Sequence, residues 1–116
     1  MAWAINYSDT ALKELKKLDK AAAREILDYL AEKIAILDDP TKAGKVLTGT
    51  LATFWRYRVG DMRVICHIDK GEVTVLVLRV GHRSKVYKDE KQVAQKAKSE
   101  IAEFEEKREI KKTKSP

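Results

Sequence analysis

The sequence predicts an α+β fold of order β-α-α-β-β-β, an antiparallel meander sheet packed by an N-terminal helical hairpin, with a further helix at the C-terminus. Three observations carry that reading. An alternating apolar run opens the chain, and two stretches with apolar residues at helical spacing follow it. Three strand-like runs, about 53–59, 62–68 and 73–80, are then separated only by the short turn signals Gly60-Asp61 and Lys70-Gly71.

In "AWAINY", Trp3, Ile5 and Tyr7 alternate with Ala2, Ala4 and Asn6, as in a half-buried strand. Ser8 or Asp9 then caps a helix whose stripe is Leu12, Leu15 and Leu18, with Lys13, Lys16 and Lys17 left to water. A second helix is predicted from about Lys20 to Leu37, with Ile26, Leu27, Leu30, Ile34 and Leu37 on one face and Pro40 beyond its end. After a turn-rich stretch and the three strands, Val93, Ala97, Ile101 and Phe104 recur at helical spacing in a highly charged tail. That tail predicts an amphipathic helix with a frayed "KKTKSP" end. One face of the sheet takes the helical hairpin, and the other is expected to be free.

At 116 residues the chain suits one globular unit, built without a disulfide framework. Its single cysteine, Cys66, falls at an apolar strand position, which suits a core thiol and a reducing, cytoplasmic setting. The longest apolar run, "VTVLVL", is closed by Arg79 after six residues, far short of a membrane span. Net charge is +6, and the segment 42–87 accounts for all of it, with nine basic and three acidic side chains. Such a concentration points to a polyanionic partner, nucleic acid above all.

The hairpin sharpens this. A two-residue loop at Gly60-Asp61 pairs Val59 with Met62, Arg58 with Arg63, Tyr57 with Val64 and Arg56 with Ile65. One face then shows Trp55, Tyr57, Val59, Met62, Val64, Cys66 and Ile68, and the other Arg56, Arg58, Arg63, Ile65 and His67. A loop at Lys70-Gly71 pairs Ile68 with Val73, Cys66 with Val75 and Val64 with Val77, which keeps the valines on the apolar face. Guanidinium groups about 5 Å apart repel by about 3 kcal/mol at an effective dielectric near 20. An anion held between them reverses that sign, because guanidinium grips phosphate oxygens in a two-pronged way.

Past the last strand, "VGHRSKVY" adds His82, Arg83, Lys85 and Tyr87 after a turn at Gly81. With the arginine face, this supplies what RNA phosphodiester transfer needs: a base for the 2′-hydroxyl, cations for the charge developing on phosphorus, and an acid for the leaving 5′-oxygen. The two histidines and one cysteine make no recognisable zinc site, no glycine-rich phosphate loop occurs, and no serine hydrolase motif is present.

These residues resemble the RelE-like toxins of type II toxin–antitoxin systems. The resemblance rests on "ALKELKKLD", "VLTG", "WRYRVGDMRVI" and "VLVLRVGHRSKVY", in that order, and covers about residues 2–88. It divides the chain into a toxin domain, 1–88, and a charged C-terminal helical extension, 89–116. It implies a ribosome-dependent endoribonuclease that cuts mRNA in the ribosomal A site by 2′-hydroxyl attack, with neither metal nor cofactor. It also implies a RelB-like antitoxin that wraps the toxin into a hetero-oligomer. Carried over by position, the catalytic residues are Arg56, Arg58, Arg63, Arg83 and Tyr87, with Lys45, Arg56, Arg58 and Lys85 on RNA. Where members carry lysines this strand pair has arginines, and arginine is no base at neutral pH. Thr48 also stands where members often have a basic residue, leaving Lys45 as the nearest substitute. The base is therefore expected to be Tyr87, its phenol acidified by Arg58 and Arg83, or else His82. Two further readings share the fold: a ParE-type inhibitor of DNA gyrase, and a degenerate toxin that binds antitoxin without cutting.

Overall fold

A computed structural model describes residues 2–114, with side-chain environments through residue 110. Strand β1 (Ala4–Tyr7) gives way at Ser8, whose hydroxyl oxygen accepts the Ala11 N–H at 3.1 Å and so caps helix α1 (Asp9–Lys17). Asp19 caps helix α2 (Lys20–Tyr29) in the same manner, accepting from Ala22 N at 2.7 Å. The single helix expected to Leu37 instead loosens into a π-helical turn over Leu30–Ile34, where the Ala35 N–H bonds to the Leu30 carbonyl. Leu30 and Ile34 stay fully buried through it. The Ala35 carbonyl is thereby left for Trp3 N–H, at 2.8 Å, which ties the first strand to the end of the hairpin.

The sheet has five strands in the order β1-β5-β4-β3-β2. These are β2 (Lys45–Val46), β3 (Trp55–Val59), β4 (Met62–Asp69) and β5 (Thr74–His82), with β1 parallel to β5 and the other pairs antiparallel. The short β2 lies inside the stretch read as turns, because two residues give no visible alternation. The β3–β4 register agrees with the expected one at all four pairs: Val59–Met62, Arg58–Arg63, Tyr57–Val64 and Arg56–Ile65.

The β4–β5 register differs. Ile68 pairs with Val75 and Cys66 with Val77, two residues beyond the expected partners. The connection spans 70–73 rather than two residues, with Val73 at a φ of 52° and the Asp69 carboxylate accepting Glu72 N–H at 3.1 Å. A shift of two preserves parity, so Val75 and Val77 remain in the core. A bulge then intervenes, and Val64 pairs with Val80 while Ile65 pairs with Arg79. Leu78 is the extra residue, turned to the face opposite Val80.

The face expected to be free is covered. Helix α3 (Glu90–Lys114) lays Val93, Ala94 and Ala97 on Leu51, Phe54, Ile65, Leu76, Leu78 and Val86, forming a second apolar cluster. The small Ala94 and Ala97 allow close approach, and the predicted stripe residues Ile101 and Phe104 pack at its margin. The helix runs to Lys114, through most of the segment expected to fray, and Ser115 and Pro116 lie outside the described residues. The first cluster, on the other face, joins Ala11, Leu15, Ile26, Leu30 and Ile34 of the hairpin to Tyr57, Val64, Cys66, Val75, Val77 and Val80. The molecule is thus three layers, hairpin, sheet and α3. Leu12 and Leu27, both expected on buried stripes, are instead exposed, at 43% and 38%. Ala11 takes the buried place on α1. No described helix is long and apolar enough to cross a membrane.

Candidate functional site

The hairpin places two rows of side chains across the α3 face of the sheet. In the first, Arg58 stands opposite Arg63, and Arg63 opposite Gly81. In the second, Lys45, Arg56, Ile65 and Arg79 follow one another across four strands. The rows are about 7 Å apart along the strands, and neighbours within a row about 5 Å, so Arg56, Arg58 and Arg63 share one small patch.

The repulsion within the first row is met locally. Arg63 turns its guanidinium to the hairpin backbone, where Nη1 donates to the Gly60 and Met62 carbonyls at 3.0 and 2.9 Å. Arg58 remains exposed. Arg56 is half-buried, and its Nε–H is enclosed with no hydrogen-bond partner. A buried donor left unpaired costs about 1–3 kcal/mol.

The segment after β5 closes onto this patch. Gly81 is not the turn itself, as the sequence suggested, but lies within β5. Val86 packs over it, its Cβ 3.4 Å from where a Cβ at residue 81 would sit, an ordinary contact distance. Val86 is buried there, which packs the next residue, Tyr87, against the same cluster as Ile65. The Tyr87 hydroxyl is buried and makes no hydrogen bond, to Arg58, Arg83 or any other group. Arg83 is drawn to the hairpin turn, its N–H donating to the Asp61 carbonyl at 2.9 Å and its Nε lying 3.9 Å from the Asp61 carboxylate. The Gly-Asp turn therefore both joins the arginine strands and anchors the loop that brings the fourth arginine. In the sequence Asp61 reads only as part of the Gly60-Asp61 turn, although an acid in a turn beside three arginines also signals this anchoring role.

His82 is exposed and its orientation is set by Ser84. Its Nδ1 accepts the Ser84 N–H at 3.2 Å and lies 2.8 Å from the Ser84 hydroxyl, which leaves the ring proton of the neutral form on Nε2. With Nδ1 occupied and Nε2 protonated, that tautomer has no free lone pair to act as a base. His67, on the same face, lies nearer the far end of β4, with Nε2 4.0 Å from Glu105 of α3. His67, Asp69 and Glu105 have ligand atoms within 4.8 Å of one another, but Arg108 already sits on Asp69 at 3.3 Å. Lys45 and Lys85 are both exposed at the rim.

The tyrosine and cysteine beneath the patch are inert by environment. Burial, with lesser contributions from the Cys66, Tyr29 and Asp39 charges, pushes the Tyr57 phenol far above its ordinary range, and Tyr57 donates to the Pro40 carbonyl at 2.7 Å. Burial alone pushes the Cys66 thiol up as well.

The comparisons with known proteins agree in direction. A family model described as the ParE toxin of the type II toxin–antitoxin system parDE matches residues 5–87. The chain is similar to toxin RelG of Mycobacterium tuberculosis, 28% identical over 88 residues that cover 76% of this chain and 99% of the relative. Among solved structures it resembles the RelBE2 toxin–antitoxin complex of Mycobacterium tuberculosis, at 27% identity and a TM-score of 0.66, over 73% of this chain and 95% of the other. It also shares the fold of a free mutant form of RelE from Escherichia coli, at 22% identity and a TM-score of 0.61, over 87% and 99% of the two chains.

Proposed function

We propose that this chain, which belongs to the ParE toxin family of type II toxin–antitoxin systems and is RelE-like within it, is an endoribonuclease that cuts mRNA on the ribosome and stops translation. The observation that carries the reading is the patch itself: Arg58 directly across from Arg63, Arg56 two residues away on the same face, and Arg83 tied by Asp61 to the turn between them. Four guanidinium groups, one of them beside Asp61, suit a scissile phosphate, whose oxygens they grip as charge develops.

In the proposed reaction a base removes the 2′-hydroxyl proton, the 2′-oxygen attacks phosphorus, and the 5′-oxygen departs with a proton, leaving a 2′,3′-cyclic phosphate. Arginine holds the phosphate but supplies no base. Tyr87 is the preferred base, because its ring packs in the cluster that contains Ile65, the cross-strand neighbour of Arg56, and its hydroxyl, enclosed in the free chain and to be uncovered as RNA binds, has no competing partner. The engaged Nδ1 of His82 argues against the alternative. A RelB-like antitoxin, the A site of the ribosome and the mRNA are the partners in this reading, and the RelB–RelE assemblies among the structural relatives support the first of these.

The match to a family described by its ParE member favours a second reading, inhibition of DNA gyrase. Translation in a cell-free extract, with primer extension along the mRNA, separates the two. Cuts within codons at the A site are expected, and gyrase-dependent DNA breaks with intact mRNA would replace this reading with the second.

A further inference from the structure

Beside the patch, on the β5 side, the first turns of α3 and the loop leading to it enclose an open groove of about 650 Å³. Its walls carry Arg79, Lys85, Lys88 and Lys96, with the side-chain amides of Gln92 and Gln95 between them. Glu14 balances Arg79 through a paired contact, and Asp89 is the single carboxylate on the groove wall. Lys85, Lys88 and Lys96 are all exposed, and none of the three forms an ion pair among the described residues.

The placement is continuous with the candidate site. Arg79 ends the row that runs through Ile65 to Arg56 and Lys45, so the groove begins where that row leaves the sheet. Lys85 belongs to the segment that carries Arg83 and Tyr87, and Lys88, in the loop before α3, and Lys96, on α3, extend the positive surface. The groove is open and its walls are polar, which suits a chain passing through it better than an enclosed small molecule. Lysine ammonium groups alternating with amide donors are what a phosphodiester backbone takes, with no reading of base sequence.

We propose that this groove is a second RNA-backbone track, in which Lys88 and Lys96 hold phosphates flanking the one gripped by Arg56, Arg58 and Arg63. The proposal rests on the reading of the arginine patch as an RNA site. It assigns part of the binding energy to residues from Lys88 onward, outside the span matched by the family model.

The test uses the full chain and a fluorescent single-stranded 2′-O-methyl oligoribonucleotide, which binds but cannot be cut, followed by anisotropy across a sodium chloride series. Lys88→Gln/Lys96→Gln is compared with Lys13→Gln/Lys17→Gln on α1, both pairs exposed. The α3 pair is expected to weaken binding about 5- to 20-fold and to lower the slope of log affinity against log salt by about 1.4, two contacts at ~0.7 each for a single strand. The α1 pair is expected to bind as the parent does. Parental affinity and slope in the α3 variant would overturn the proposal, as would tighter, equally lysine-dependent binding of duplex DNA. Ribosomal mRNA cleavage by the parent is scored separately. Cleavage with an unaffected α3 variant removes the track and keeps the nuclease reading, whereas lysine-dependent RNA binding without cleavage keeps the track and removes the nuclease.

Discussion

Glu14 holds Arg79 across a sequence separation of 65 residues, its two carboxylate oxygens taking Arg79 Nε and Nη2 at 3.0–3.1 Å. One of those oxygens also accepts the Val80 N–H at 3.0 Å. Both side chains are only 22% exposed. The contact falls at the β5 bulge, past the end of β1, where the strand has no neighbour on that side. Ser8 completes the clasp, its N–H on the Val77 carbonyl and its hydroxyl on that of Leu78. Helix α1 thus satisfies the backbone that the bulge leaves open, and the bulge in turn sets which residue of β5 faces Arg63.

Replacing Glu14 with Ala is expected to lower unfolding free energy by about 2–3 kcal/mol, since a charge-assisted pair and a backbone acceptor are lost together. Glu14→Gln keeps the Val80 contact and is expected to lose about half as much. Urea denaturation followed by circular dichroism measures both, and equal losses for the two variants would remove the role given to Val80.

Tyr87→Phe tests the assignment of the base. On ribosomes programmed with a defined A-site codon, single-turnover cleavage is expected to fall by about 10²–10⁴-fold. His82→Asn is expected to cost less than about tenfold, because the Nδ1 lone pair is already engaged by the Ser84 N–H. A rate unchanged in Tyr87→Phe would end that assignment.

Asp69 gives a pH dependence. Burial acts to raise its carboxyl, but the Glu72 N–H and then Arg108, with His67 nearby, outweigh it and hold the group below its ordinary range. A carboxyl depressed in the folded state stabilises fully above the unfolded value of about 3.9, and that contribution is lost as pH falls through the folded one. Because Arg108 lies on α3, stacked 4.7 Å over Phe104, the grip of the C-terminal helix is expected to weaken below about pH 4. Protection factors of the α3 amides between pH 3 and 6, corrected for intrinsic exchange, read this, and Asp69→Asn is expected to reduce the difference, since Glu72, Glu100 and Glu105 also tie the helix.

Cys66 is fully buried between the hairpin and the sheet, its thiol held protonated. At pH 8 it is expected not to react with an aromatic disulfide reagent in the native protein, and to release one equivalent of thiolate on addition of urea. Rapid native reaction would place it elsewhere than the core.

The sequence alone determined the element order of the hairpin and sheet and the turn at Gly60-Asp61, but not the Lys70-Gly71 loop or which leucines each helix buries. Helical stripes placed the hairpin, and the Gly60-Asp61 turn fixed the parity that brings Arg56, Arg58 and Arg63 to one face, because cross-strand partners must share a side. It also determined the family resemblance, whose motifs lie in those same elements. Tertiary structure alone decided the remainder. The bulge at Leu78 depends on Ser8 and Glu14, far away in the chain, and no local pattern in β5 encodes it. Leu12 turned outward because the hairpin packs through Ala11 and Leu15, a choice between adjacent stripes that only the crossing of helix and sheet makes. The helix after residue 89 covers the face expected to be free because Leu51, Phe54, Leu76 and Leu78 converge there from separate segments, forming an apolar surface that no single stretch displays.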